Sequence, residues 1–164
     1  MGEDSVSSVN GWTPASSQEA SVVRMGGALR RVSISHPERD WRREVVEKLN
    51  ELTALPRGWD GYHARAVRFD TANFALQMLE HICPADSPAP QIVPGTKGDL
   101  QVEWHSENGE VELDVLGPYR VEGWFADDET GPEGVEFRLK SDFTLAAEWV
   151  RKVTEPAFAA TAAA

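Results

Sequence analysis

Several things that small scaffolds commonly rely on are scarce in this chain. One cysteine among 164 residues, Cys83, excludes an intramolecular disulfide framework and suits a reducing compartment. No run approaches the roughly 20 apolar residues of a membrane span, so no membrane association is expected. The first ten residues, MGEDSVSSVN, have neither a basic n-region nor an apolar h-region, which reads as the absence of a secretory signal and predicts a cytoplasmic protein. CxxC, HExxH, GxGxxG, P-loop and GxSxG patterns are all missing, and Gly131 to Gly134 reads as a turn and not a phosphate cradle. No cofactor or metal is therefore expected, and nothing resembles a complete active site.

Basic charge is scarce where it matters most. The net charge is −11, but Arg24 to Asp70 holds ten Lys/Arg against seven Asp/Glu, while Asp99 to Lys140 holds three against twelve. Phosphate contacts need positive charge, so the second half argues against direct nucleic-acid binding. An acidic face keeps a protein soluble, and it can also attract a basic protein partner and steer its approach.

What is present is organised around Gly58-Trp59-Asp60-Gly61-Tyr62. The glycines open backbone angles closed to other residues, and an Asp side chain can accept from amides two residues on. The expectation is a composed turn that fixes Trp59 and Tyr62 under or onto the core, with Asp60 bonding its own backbone.

Helix-like stretches flank this turn. Upstream, Ser35 and Glu38 form a capping-box pattern with Pro37 in the first turn, which predicts a helix opening at Ser35. Trp41, Val45, Leu49 and Leu52 make its apolar stripe, and Pro56 ends it near Leu55. Downstream, a second helix over about Arg68 to Ile82 has a stripe of Ala72, Ala75, Leu76, Leu79 and Ile82, widened by Phe74 and Met78.

Beyond the Pro-bounded linker Ala85 to Pro90 the period changes to two. Gln91 to Pro94 reads as a short edge strand that can pair with a second copy, against the resistance of its prolines. Leu100, Val102 and Trp104 alternate with Gln101, Glu103 and His105, and the alternation resumes past Asn108-Gly109 as Val111, Leu113 and Val115, a hairpin signal. Tyr119, Val121, Gly123 and Phe125 suggest a third long strand, and Val135, Phe137 and Leu139 a fourth. Ser141 or Asp142 then caps a last helix carrying Phe143, Ala146, Ala147, Val150 and Val153. The fold class is α+β: two N-terminal helices and a C-terminal helix on one face of a four- to five-stranded antiparallel meander. The domain spans residues 31–155, between a flexible arm (residues 1–30) and a frayed tail (residues 156–164). If Val102, Trp104, Leu113 and Val115 face the helices, then Glu103, His105, Glu112 and Asp114 share the opposite, open face.

Chemistry is thin. His81 and Cys83, or Glu103 and His105, offer two ligands each, short of any zinc spacing. Glu103 and His105 point to the same side of a strand, as a solvated polar pair or as a base with its orienter. Cys83 beside Pro84 reads as a small buried apolar residue.

The span Leu55 to Phe125 resembles a family of small bacterial proteins without an assigned activity. The likeness rests on Gly58 to Tyr62, the Ala/Leu-rich helix Ala72 to Ile82, the linker up to Pro94 and the strand ending Glu103-Trp104. It departs after Tyr62, where His63-Ala64 and Ala66 stand in place of a Gly-Ala and a proline. The resemblance implies a bacterial or phage origin and a shared fold, and supplies no catalytic residues.

Three functional readings follow. The first is a non-catalytic protein-binding module of a bacterial or phage operon: an inhibitor, antitoxin, immunity protein or accessory subunit. Its partner-binding residues are Trp59, Asp60, Tyr62, Glu103, His105, Glu112 and Asp114, and its partner is another, basic, protein. The second is a DNA-mimicking or structural phage protein. The third is a small enzyme using Asp60, His63, Glu103 and His105, which requires those groups to converge in one pocket.

Overall fold

The apolar stripe of the first helix is buried as a unit: Trp41, Val45, Leu49 and Leu52 all lie in the core from α1 (Asp40–Thr53). The computed structural model describes residues 39–156. The Ser35, Pro37 and Glu38 capping pattern lies outside the described residues, as does the arm. Arg39 has extended backbone (φ −120°, ψ 130°), so α1 itself opens at Asp40. Tertiary contacts accompany this start. The Arg39 guanidinium donates to the carbonyls of Glu80 (2.8 Å) and Cys83 (3.2 Å), and the Trp41 indole donates to the carbonyl of Pro84 (2.9 Å). These side chains occupy carbonyls that the end of α2 (Phe69–Ile82) leaves without intrahelical partners. Arg42 completes the seam by bonding the Glu80 carboxylate, whose side chain is only 9% exposed.

Helix α2 buries its expected stripe together with Phe74, Met78 and Thr71. Cys83 follows it, buried, and burial pushes its thiol up to about 12, as expected of a small apolar filler.

Five strands then follow in order: β1 (Gln91–Pro94), β2 (Leu100–Ser106), β3 (Gly109–Gly117), β4 (Arg120–Ala126) and β5 (Val135–Leu139). They form an antiparallel meander, each strand beside its neighbour in sequence. The terminal helix α3 (Thr144–Thr154) buries Ala146, Val150 and Val153. All three helices pack on the sheet, α1 against β1, α2 against β3, and α3 across β2 and β3, with α2 touching both other helices.

Turn details depart from expectation by small steps. Ser106 pairs with Gly109, so the β2–β3 loop is Glu107-Asn108 and Gly109 (φ 135°) begins β3 instead of ending the turn. A side chain at Gly109 would run into the Ala126 carbonyl of β4, and Asn108 instead turns its amide to the Glu155 carbonyl at the end of α3 (2.7 Å). At the start of α3, Asp142 is the residue whose carboxylate accepts from the Thr144 amide (3.0 Å) and hydroxyl (2.7 Å). Between β3 and β4, Tyr119 adopts φ 59°, a left-handed conformation unfavourable for an aromatic residue. Its ring meets Phe74 edge-on at 5.3 Å, a contact that offsets the strain.

Gly123 has a packing role. A Cβ there would overlap the Phe137 ring, so the glycine lets Phe137 lie flat over β4. Phe137 meets Trp149 of α3 edge-on at 4.6 Å, and Trp149 stacks on Phe125 at 4.5 Å.

Candidate functional site

The sequence directs attention to the Asp60 turn and to the polar face of the sheet. In the turn, Gly58 (φ 76°) and Gly61 (φ 86°) both use left-handed backbone, which lets the chain fold around the Asp60 carboxylate. One oxygen of that carboxylate accepts from the amides of Tyr62 (2.9 Å) and Ala64 (3.1 Å). The Tyr62 amide above all, with that of Ala64, holds the Asp60 carboxyl below its ordinary value. The Gly58 amide closes the loop on the Ala64 carbonyl (2.8 Å), and the Trp59 indole donates to the Arg65 carbonyl (3.0 Å). Asp60 thus organises its own backbone.

The two aromatics part company. Trp59 is half-buried and Tyr62 is 82% exposed, so Tyr62 departs from the expectation of an aromatic fixed to the core, and what fixes Trp59 is the bond of its indole within its own turn. The side chain of Asp60 draws the Tyr62 amide inward, and the ring is left facing out. Beside it, Asp60, Tyr62, His63, Arg65, Thr96 and Lys97 line an open groove of about 670 Å³ against the β1–β2 turn.

The sheet face is built by register. Glu103 lies opposite Glu112, Gln101 opposite Asp114, and His105 opposite Glu110. Across the next pair, Asp114 lies opposite Glu122 and Glu112 opposite Trp124. Because Val102, Trp104, Val111, Leu113, Val115 and Val121 are buried, alternation puts the carboxylates on the side away from the helices. His105 Nε2 lies 3.2 Å from Glu103 and its Nδ1 3.7 Å from Glu110. The hydrogen bond with Glu103 is the main reason that the imidazole is raised above its ordinary value. Glu112 and Asp114 are also raised, each first by loss of hydration and then by neighbouring carboxylates: Glu103 for Glu112, and Asp99 and Glu122 for Asp114.

The structure therefore brings Glu103, His105, Glu112 and Asp114 onto one surface and keeps Trp59, Asp60 and Tyr62 together in a separate turn. Asp60 and His63 share the groove by the β1–β2 turn, and neither Glu103 nor His105 lines it. The four groups of the enzymatic reading do not meet in that groove. Sequence reasoning missed Glu110 and Glu122 as members of the face, although the period of two in β3 and β4 carries both. Among the described residues, no group of three or more His, Cys, Asp or Glu is placed to hold a metal ion, and no helix is long and apolar enough to cross a membrane. Comparison of the chain with protein-family models, with curated proteins and with solved structures returns no match.

Proposed function

We propose that the protein is a non-catalytic binding module that engages a basic protein partner through the carboxylate face of its sheet, as an inhibitor, immunity-type protein or accessory subunit. The observation that carries this reading is the stacking of like charge: Glu103 faces Glu112, and Asp114 faces Glu122, on neighbouring strands. Like charges directly opposite destabilise a sheet, and the partners that these carboxylates have within the fold, His105 for Glu103, Gln101 for Glu112 and Arg138 for Glu122, do not separate the facing pairs. A cationic partner removes the repulsion on binding, and the same field speeds its approach. The exposed Tyr62 ring, held on a rigid turn, offers an aromatic contact at low entropic cost.

Tagged protein incubated in a lysate of the cells that make it should retain a basic protein at low salt and release it at high salt. The triple variant Glu103→Gln, Glu112→Gln, Asp114→Asn should retain none. Recovery of the protein alone at both salt concentrations, or full retention by the triple variant, would sink the reading.

A further inference from the structure

Among the described residues the meander leaves two free edges, and they differ. Strand β1 ends in Pro94, which has no amide to donate, and the chain beyond it is tied up by the Arg65–Lys97 bridge. Strand β5 has neither protection. It runs Val135-Glu136-Phe137-Arg138-Leu139 without proline or bulge, and Val135 is 40% exposed. Gly123 keeps the Phe137 ring folded inward over β4, so no bulky side chain has to stand at this edge. An unpaired strand of this kind is a template for another strand.

We propose that β5 pairs antiparallel with β5 of a second copy, centred on Phe137, to give a symmetric dimer with a ten-stranded sheet. The strand is self-complementary in that register. Glu136 falls opposite Arg138 of the second copy, and Arg138 opposite its Glu136, both on the open face of the sheet. Val135 falls opposite Leu139 on the helix side, covering the exposed valine. Glu136 has no ion-pair partner among the described residues, while Arg138 holds Glu122 of its own chain at 3.3 Å. The pairing gives each Glu136 a cation and sets each Arg138 between two carboxylates. Such a contact is isologous and closes on itself, so it stops at two copies. The seam is short, so the dimer forms in the micromolar range, below the size of permanent interfaces. The inference stands on the edge strand alone and does not require the carboxylate-face reading.

The test is a charge swap followed by sedimentation equilibrium of the full chain up to a few hundred micromolar. Wild type should shift from monomer to dimer. Glu136→Arg and Arg138→Glu should each weaken self-association by roughly tenfold or more, because two opposite-charge cross-strand pairs become like-charge pairs. An equimolar mixture of these two variants restores both pairs, and should form the heterodimer at wild-type concentrations. The double variant E136R/R138E should dimerise like wild type, which separates the seam from the loss of the internal Arg138–Glu122 contact. Circular dichroism checks that each variant is folded. A wild type that stays monomeric throughout, a dimer indifferent to the single reversals, or single variants that fail to complement one another overturns the proposal.

Discussion

Glu103 and Glu112 face one another across β2 and β3 on the side of the sheet away from α1, α2 and α3. Gln101 donates to Glu112 at 3.1 Å, but the nearest charge opposite Glu112 on β2 has the same sign.

Replacing Glu112 by Gln should therefore stabilise the protein. The amide still accepts from Gln101 and ends the repulsion, and at this half-buried, solvent-screened position the gain is about 0.5 kcal/mol. The pH dependence has a definite sign. The folded carboxyl is raised, so between its unfolded and folded values the native state binds more protons, and its contribution to stability falls as pH rises. Urea denaturation across the acid range should show the stabilising effect of the variant absent below the unfolded value, growing between the unfolded and folded values, and level above the folded one.

Asp127 makes the opposite contribution. Its bond with Lys152, followed by the Thr130 amide, holds the carboxyl down at about 2. A depressed carboxyl contributes stability above its unfolded value and loses it as pH falls through its folded value. Asp127→Asn should have a lower melting temperature than wild type at neutral pH. The difference should close between about pH 4 and pH 2.

Gly123→Ala should be costly out of proportion to one methyl group. The added Cβ overlaps the Phe137 ring, and overpacking of this kind costs about 1–3 kcal/mol. A second change, Phe137→Leu, should be less harmful in combination with Gly123→Ala than in wild type. Strict additivity in a double-mutant cycle would refute the direct contact.

Asp60→Ala should lower the melting temperature by stripping the Tyr62 and Ala64 amides of their acceptor. Tyr62→Ala should leave it unchanged, because the ring is almost wholly in solvent. Differential scanning fluorimetry on the pair distinguishes an Asp that shapes the loop from a Tyr that is merely displayed by it.

The elements that rest on periodicity were legible in the sequence. The Trp41 to Leu52 stripe, the Ala72 to Ile82 stripe and the alternations of β2 and β3 depend on residues close together in the chain, and each was buried as expected. What was hidden depends on distant residues. Nothing near Arg39 announces that its side chain will reach carbonyls more than forty positions away, yet that reach accompanies the start of α1 at Asp40. The exposure of Tyr62 was hidden for a different reason. The sequence shows two aromatics flanking Asp60 and Gly61, but which one turns outward depends on the two amides that a single carboxylate oxygen captures. The sheet face lay between these cases: its members follow from alternation, whereas their pairing into like-charged opposites needs the register.

Strand order also bears on how the chain folds. Because each strand lies beside its neighbour in sequence, every sheet contact belongs to a local hairpin that can form as soon as its second strand has been made. The covering layer is different. Trp149 stacks on Phe125, and the Ser106 hydroxyl donates to the Val153 carbonyl, so part of the roof over β2 to β4 comes from α3, which follows every strand in sequence. Until Thr144–Thr154 has emerged, the growing chain carries a nearly complete sheet with part of its greasy side open to water. The emergence of α3, more than the formation of any single strand, is then the step at which this part of the core can seal.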